Sequence, residues 1–432
     1  MQHMLSCTVT RSVVADGRND IPWESVLRCI MQYDASDGAR FAYDGPTLRL
    51  GSGSVASLDS ELASAGCERA LVVCGSTVGE TGAVMEPVRA GLGDRLAGEF
   101  PRTTPDKRLS NAYDGVAAME RHDADALVAV GGGSSIDVAK VMSVLHADER
   151  PPDRVGAELA ETGSVSIPDG DLTPVFAVPT TLAGADLSQV AGVTAHPSSS
   201  QVETFVSGGL WDERLMPTAV VGDAELVATT PESVLVGSAM NGFDKGLETL
   251  YASTRTPVTD GTASRGLRLL AEHLPRLGRE GATPAVLEPV VEGTTLVQYG
   301  ISRRSETTLS VVHAFGHGLT RGYGVQQGVA HAVVVPHVLE YLFEHVDARR
   351  ELIAEALGVG DAAEPATAVV EAVTAVRDAL DLPTQLRDVD GPAPEAFQAV
   401  AETILDDSLM RNAPPELDAT REDIEAVLEA AY

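Results

Sequence analysis

Residues Ala126 to Lys140 read ALVAVGGGSSIDVAK, and no other stretch limits the fold of this chain so sharply. Ala126 to Val130 is an apolar run rich in β-branched side chains, the composition of a strand buried on both faces. Three glycines stop it. Beyond them, Ser134 and Asp137 carry the spacing of a capping box, which predicts a helix through Ile136, Val138, Ala139 and Lys140. A strand, a glycine turn and a helix N-terminus in succession make an anion site. Gly131, Gly132 and Gly133 admit backbone amides close to a pyrophosphate, and the helix dipole favours its negative charge. An ordinary βα turn would use the same residues, so the glycines need support from elsewhere in the chain.

With 432 residues the chain has room for two ordinary domains. No apolar run approaches transmembrane length, and residues 1–39 mix charged and polar groups without an apolar leader, so a cytoplasmic protein with no membrane partner is expected. Cys7, Cys29, Cys67 and Cys74 form no CxxC or metal-ligand spacing and are read as reduced thiols. A formal net charge of -32 excludes nucleic acid as a partner, while 44% hydrophobic residues are ample for a core. The evenly spread acids, with arginine far outnumbering lysine, have the character of a salt-adapted, halophilic surface. Only three lysines occur, Lys107, Lys140 and Lys245.

Residues 1–39 read as an N-terminal extension without clear periodicity. Thr47–Leu50 has strand character, and Gly51-Ser-Gly53 turns the chain into a helix through Val55, Leu58 and Leu62. Ala70–Cys74 is a second buried strand. A dinucleotide fold places its cofactor-discriminating residues just beyond such a strand, and here stand Gly75, Ser76 and Thr77. No carboxylate awaits a ribose 2′-hydroxyl and no basic side chain awaits a 2′-phosphate, so NAD and NADP both stay open. Leu109–Arg121 is an amphipathic helix, and Asp148–Asp171, rich in Pro, Gly and acids, reads as an exposed connection. Val175–Val178 forms another buried strand, ending in Pro179-Thr180-Thr181. Residues 189–207 suggest a β-hairpin, and Thr218–Val221 closes the strand set. From Pro231 onward the spacing is helical. The division expected is an α/β domain over 40–225 and a helical domain over 226–432.

GGGSxxDxAK and the later segment PTTLAGADLS together resemble the two cofactor motifs of the iron-containing alcohol dehydrogenase family, the second in the form of its maleylacetate reductase branch. The resemblance implies a Rossmann-like dinucleotide-binding domain followed by an all-α domain. It also implies NAD- or NADP-linked interconversion of a small alcohol and a carbonyl compound, and a homodimer. It assigns the cofactor to Gly75, Ser76, Gly131, Gly132, Gly133, Ser134, Asp137, Lys140, Thr180 and Thr181. In that family one metal ion sits in the interdomain cleft, held by an Asp and a His one helical turn apart and by two more histidines. Aligning SAMNGFDKGLETLYA and VVHAFGHGLTRGYGVQQGVAH with the matching segments puts Asn241, Lys245, His313 and Gln327 at those four positions.

A protonated lysine cannot bind a divalent ion, and Asn and Gln amides are weak ligands, so no metal is expected at one good donor out of four. Asp244, Glu248 and His317 are near in sequence, but Asp244 falls on a neighbouring helix face from Asn241. An ammonium can replace the ion: Lys245 offers a fixed positive charge and hydrogen-bond donors to the same substrate oxygen. His313 and His317, one turn apart, are expected to manage the proton, and Asn241 and Gln327 to touch the substrate. By the same resemblance His331 approaches the cleft. Arg303, Arg304 and Arg321 are the candidates to clamp the carboxylate of an oxo-acid such as maleylacetate. Three other functions compete with this one. They are a metal-dependent dehydrogenase with a rearranged site, a nucleotide-binding relative without chemistry, and a lyase of the dehydroquinate-synthase type. The lyase needs a metal and a basic phosphate site that three lysines supply poorly.

Overall fold

Eight strands follow in order, of which β3 is half-buried and was not expected from the sequence: β1 (Thr47–Leu50), β2 (Ala70–Gly75), β3 (Leu96–Thr103), β4 (Ala126–Gly131), β5 (Val175–Pro179), β6 (Val190–Ala195), β7 (Val206–Trp211) and β8 (Ala219–Gly222). Six of them form one parallel sheet in the order β1-β8-β5-β4-β2-β3. Side chains alternate across it. Leu71, Val73, Leu127, Ala129 and Ala177 enter one apolar core, while Val72, Cys74, Val128, Val130 and Phe176 enter a second on the opposite face. Both faces are covered, which is why these strands read as unbroken apolar runs. The computed structural model describes residues 41–432 except Ser200 and Ser305, and 41–432 form one compact unit. The expected extension over 1–39 lies outside the described residues.

The strand order reverses between β2 and β4: β3 lies to one side, and β4, β5 and β8 follow on the other. Loops leaving the carboxyl ends of β2 and β4 diverge there and leave a crevice, the place where open α/β sheets bind ligands. The two glycine-bearing turns singled out in the sequence, Gly75-Ser76 and Gly131-Gly132-Gly133, flank that point.

Two local expectations are corrected. Within the connection 148–171, Pro152–Thr162 is a helix, started by Pro152 and ended by Gly163 in the left-handed region (φ 71). Val155, Gly156 and Leu159 bury one side of it, an apolar stripe diluted in sequence by surrounding acids and prolines. β6 and β7 make the antiparallel hairpin, with Val193 opposite Gly208, and it runs to Trp211 rather than residue 207.

Six helices carry the cleft: α1 (Gly133–Ala147), α2 (Glu232–Tyr251), α3 (Pro257–Glu280), α4 (Pro284–Gln298), α5 (Val311–Thr320) and α6 (Gln327–His345). The chain from Ala224 is helical except for a ribbon pairing Ser302–Arg303 with Glu306–Thr307, too short to register as strand in the sequence. α2 is buried on all sides, with Leu235, Met240, Phe243, Leu247 and Leu250 in the helical core. It crosses α6 at glycine: a Cβ added to Gly328 would stand 1.9 Å from the Gly237 carbonyl oxygen. That close approach also brings the Asn241 Cβ to 3.4 Å from the same added atom, and Asn241 and Gln327 line one cavity.

Candidate active site

α2 also presses on the loop that follows β5. A Cβ on Gly242 would lie 2.3 Å from the Leu182 carbonyl oxygen, the Ser238 hydroxyl accepts the Leu182 N–H at 3.1 Å, and the Lys245 ammonium donates to the Ala183 carbonyl at 2.7 Å. Ser238, Gly242 and Lys245 share one helix face at spacings of four and three, so the sheet and the helical layer are joined at the lysine. A cavity of about 800 Å³ opens there. Gly133, Ser134, Asp137 and Lys107 line its sheet side; Asn241, Lys245, His313, His317 and Gln327 line its helical side. All five residues expected to do chemistry or touch substrate therefore face one space.

On the sheet side the expectations divide. Gly75, Gly131 and Thr180-Thr181 stand at the carboxyl ends of β2, β4 and β5, with the Thr180 N–H donating to the Gly131 carbonyl at 3.0 Å. Ser76 opens the short helix after β2. Gly132 is packed on Thr181, since a Cβ there would meet its methyl carbon at 3.2 Å, and Gly131 is held at φ 137. The capping box is absent. Gly132 is the N-cap of α1 and no side chain caps it, because Asp137 is engaged elsewhere: its carboxylate accepts from the Gly192 N–H at 3.1 Å and pairs with Lys107 at 2.6 Å. Lys140 is corrected too. It is fully buried and away from the cavity lining, and its ammonium donates to the carbonyls of Ser188 (2.6 Å), Val190 (3.2 Å) and Ala185 (3.4 Å). Burial lowers its pKa to about 8 against the pull of Asp137 and Asp186. Its part is to fold the loop between β5 and β6 under the cavity.

On the helical side each histidine has a carboxylate behind it. Nδ1 of His313 lies 2.5 Å from Oε2 of Glu248, whose Oε1 accepts the N–H groups of Ser310 (3.0 Å) and His313 (2.9 Å). Glu248 has no exposed surface, and burial pushes its carboxyl up to about 7 despite those bonds. Burial, aided by the neighbouring His331, drives the His313 imidazole well below its ordinary value. Nδ1 of His317 lies 2.9 Å from Oδ2 of Asp407, which also faces Arg321 at 3.5 Å. Burial raises the Asp407 carboxyl, but the bond to His317 and the Leu409 N–H outweigh it and hold the pKa below the usual range. The Lys245 pKa is lowered, first by burial, with Asp244 and Asp186 opposing. Glu248 and Asp407 were not singled out as partners of the histidines. Asp407 is 90 residues from His317, and no sequence spacing connects them.

The arginines are reassigned. Arg303 is 2% exposed and spends its guanidinium on the carbonyls of Gly300 and Thr254 and on Glu306. Arg304 pairs with Glu213 and Arg321 with Asp407, so none of the three lines the cavity. Arg411 does, from the short helical turn Ser408–Asn412 whose first N–H groups Asp407 caps. Among the described residues no ion pair or hydrogen bond is made by its side chain.

The four family ligand positions do not fit an ion: Asn241, Lys245 and Gln327 are an amide, an ammonium and an amide. Asp244, His313 and His331, however, each bring one ligand atom to within 4.8 Å of the others, all three buried.

The site is thus a parallel sheet whose switch point opens onto a helical layer, with a lysine and two histidines in the shared cavity. Residues 46–224 match the family described as iron-containing alcohol dehydrogenase, and residues 235–432 match its C-terminal domain. The chain belongs to the iron-containing alcohol dehydrogenase family. It is 27% identical to the NAD-dependent methanol dehydrogenase of Bacillus methanolicus over 318 residues, 72% of this chain and 78% of that protein. It is 28% identical to the maleylacetate reductase of Sphingobium indicum over 364 residues, 84% and 91% respectively. The crystal structure of a 1,3-propanediol oxidoreductase shares the fold with a TM-score of 0.79 at 23% identity, covering 91% of this chain and 100% of that one.

Proposed function

We propose that the protein is a nicotinamide-dependent oxidoreductase for small carbonyl compounds and alcohols, in which Lys245 polarises the substrate oxygen where relatives use an ion. One observation carries this reading: the buried ammonium of Lys245 shares a single cavity with His313, His317 and the Gly133–Ser134 turn. Bound cofactor supplies or accepts a hydride at the carbonyl carbon. Lys245 spends one donor on Ala183 and keeps two for the developing alkoxide. His317, held by Asp407 and partly exposed, supplies the proton and recovers it from solvent. NAD is the cofactor that the methanol dehydrogenase likeness supports. Gly75 and Ser76 bring no charge to the 2′ position, so the test assays both NADH and NADPH. Consumption of neither, across a panel of aldehydes, ketones and oxo-acids in high salt, would overturn the reading.

Asp407→Asn should leave the cap on Leu409 possible but no longer stabilise a charged His317. A fall in kcat of about tenfold to a hundredfold is expected, with the carbonyl KM little changed. Unchanged kcat would remove His317 from the proton path.

The substrate class we propose is a carbonyl compound bearing a carboxylate. Lys107 is paired with Asp137 and Glu306 with Arg303, which leaves Arg411 as an unpaired cation on the helical side of the cavity. A charge-assisted bond is worth about 1.5–3 kcal/mol, so Arg411→Met should raise KM for an oxo-acid or semialdehyde acid roughly tenfold to a hundredfold. The matching uncharged aldehyde should be unaffected. Equal effects on both substrates would contradict the assignment.

A further inference from the structure

Two helices that have lost metal ligands each carry another candidate ligand within one turn of the lost one. On α2, Asn241 stands at a ligand position and Asp244 follows three residues later; on α6, Gln327 stands at a ligand position and His331 follows four later. The step on α2 is about 4.5 Å along the axis and stops one residue short of Lys245, so it turns around the helix, while the step on α6 is a full turn of about 6 Å; Asn241, Lys245 and Gln327 line the cavity, and Asp244 and His331 do not. His313, the one family ligand that is kept, both lines the cavity and reaches the new pair. Its ring meets that of His331 edge-on, with centroids 4.6 Å apart.

We propose that Asp244, His313 and His331 form a divalent transition-metal site, turned onto a neighbouring face of α2 and moved one helical turn along α6 from the positions that hold the family's ion. Three independent observations support it. The ligand atoms lie within 4.8 Å of one another at full burial. His331 Nδ1 lies against Asp244 Oδ2, yet neither carboxylate oxygen of Asp244 and neither ring nitrogen of His331 has a hydrogen bond of proper geometry among the described residues. Asp244 Oδ1 and His331 Nε2, beyond that ion pair and at zero exposure, have no partner among the described residues, and each unsatisfied group costs on the order of 1–3 kcal/mol. Lastly, Glu248 holds Nδ1 of His313, which leaves Nε2 for a ligand bond. A carboxylate behind a metal-bound histidine is the usual outer partner of such sites.

One carboxylate and two imidazoles suit Fe(II) or Zn(II). The ion's charge is balanced by two buried carboxylates, Asp244 and Glu248. The ion lies behind the cavity wall with Lys245 in front of it, so it fixes His313 and α6 while the lysine faces the substrate. The proposal rests on the reading of this cleft as the active site for its location only. Metal content is measured whether or not the enzyme turns over, so the two can fail separately.

The test strips the full-length protein with chelator in high salt and reloads it with Fe(II) under anaerobic conditions or with Zn(II). Desalting and elemental analysis follow. About one ion per chain is expected in the wild type and in Lys245→Met, and about a tenth of that or less in Asp244→Asn and His331→Gln. Loading should also raise the melting temperature of the wild type. Should the variants fail to fold, Co(II) replaces the other metals in the wild type, where visible absorption bands of an N/O-ligated ion are expected. Wild-type protein retaining less than about a tenth of an ion with every metal, or full occupancy in Asp244→Asn, would overturn the site.

Discussion

Lys245→Met is expected to reduce kcat by about two to three orders of magnitude while cofactor affinity changes little and stability falls only by the lost bond to Ala183, about 1–3 kcal/mol. The substitution keeps the length and packing of the side chain but removes the donors aimed at the substrate oxygen. Preorganised donors of that kind contribute on the order of 3–4 kcal/mol to a transition state. The expectation follows from position: the residue is 7% exposed, is fixed by Ala183, and faces the cavity beside Asn241. Single-turnover hydride transfer with saturating cofactor separates the chemical step from binding. A variant turning over within threefold of the wild type would mean that another group polarises the carbonyl, and Lys245 would then be a link between the two layers.

The second large effect is on the scaffold. Gly328→Ala should destabilise the protein by about 3 kcal/mol, because the new methyl group would stand 1.9 Å from the backbone oxygen of Gly237 and neither helix can yield cheaply. Forcing α2 and α6 apart also separates Asp244 from His331 and disturbs the cavity wall that Asn241 and Gln327 form, so activity should fall with stability. Gly261→Ala, on the open face of α3 with nothing within 4 Å of the new methyl group, is the control. It should stabilise by about 0.5–1 kcal/mol through helix propensity. Chemical denaturation in matched salt reads both. Equal midpoints for the two variants would show that the α2–α6 crossing tolerates expansion.

Much of the architecture was legible because it is locally encoded. Ala126–Val130 and Val175–Val178 declare two-sided burial by composition, and the structure places them as adjacent parallel strands. The helix Pro152–Thr162 was hidden because its apolar stripe is only three residues among acids and prolines. Ser134 and Asp137 have the right spacing for a cap, but Asp137 has a stronger partner in Lys107, 30 residues away. A motif reports what a segment can do alone, and competition from distant charges decides what it does.

The functional side chains divide in the same way. Sequence alone carried the resemblance to the family and placed Asn241, Lys245, His313 and Gln327 at its ligand positions, with His317 one turn from His313, because these depend only on residue type at a position in a pattern. Which carboxylate stands behind each histidine, that Lys140 serves the fold while Arg411 faces the cavity, and that Asp244 meets His331 were decided by tertiary structure. Those facts depend on two helices crossing at glycine and on a turn near residue 407 folding back onto α5. Distances of a few ångströms between groups nearly a hundred residues apart are set by packing, and no local spacing records them.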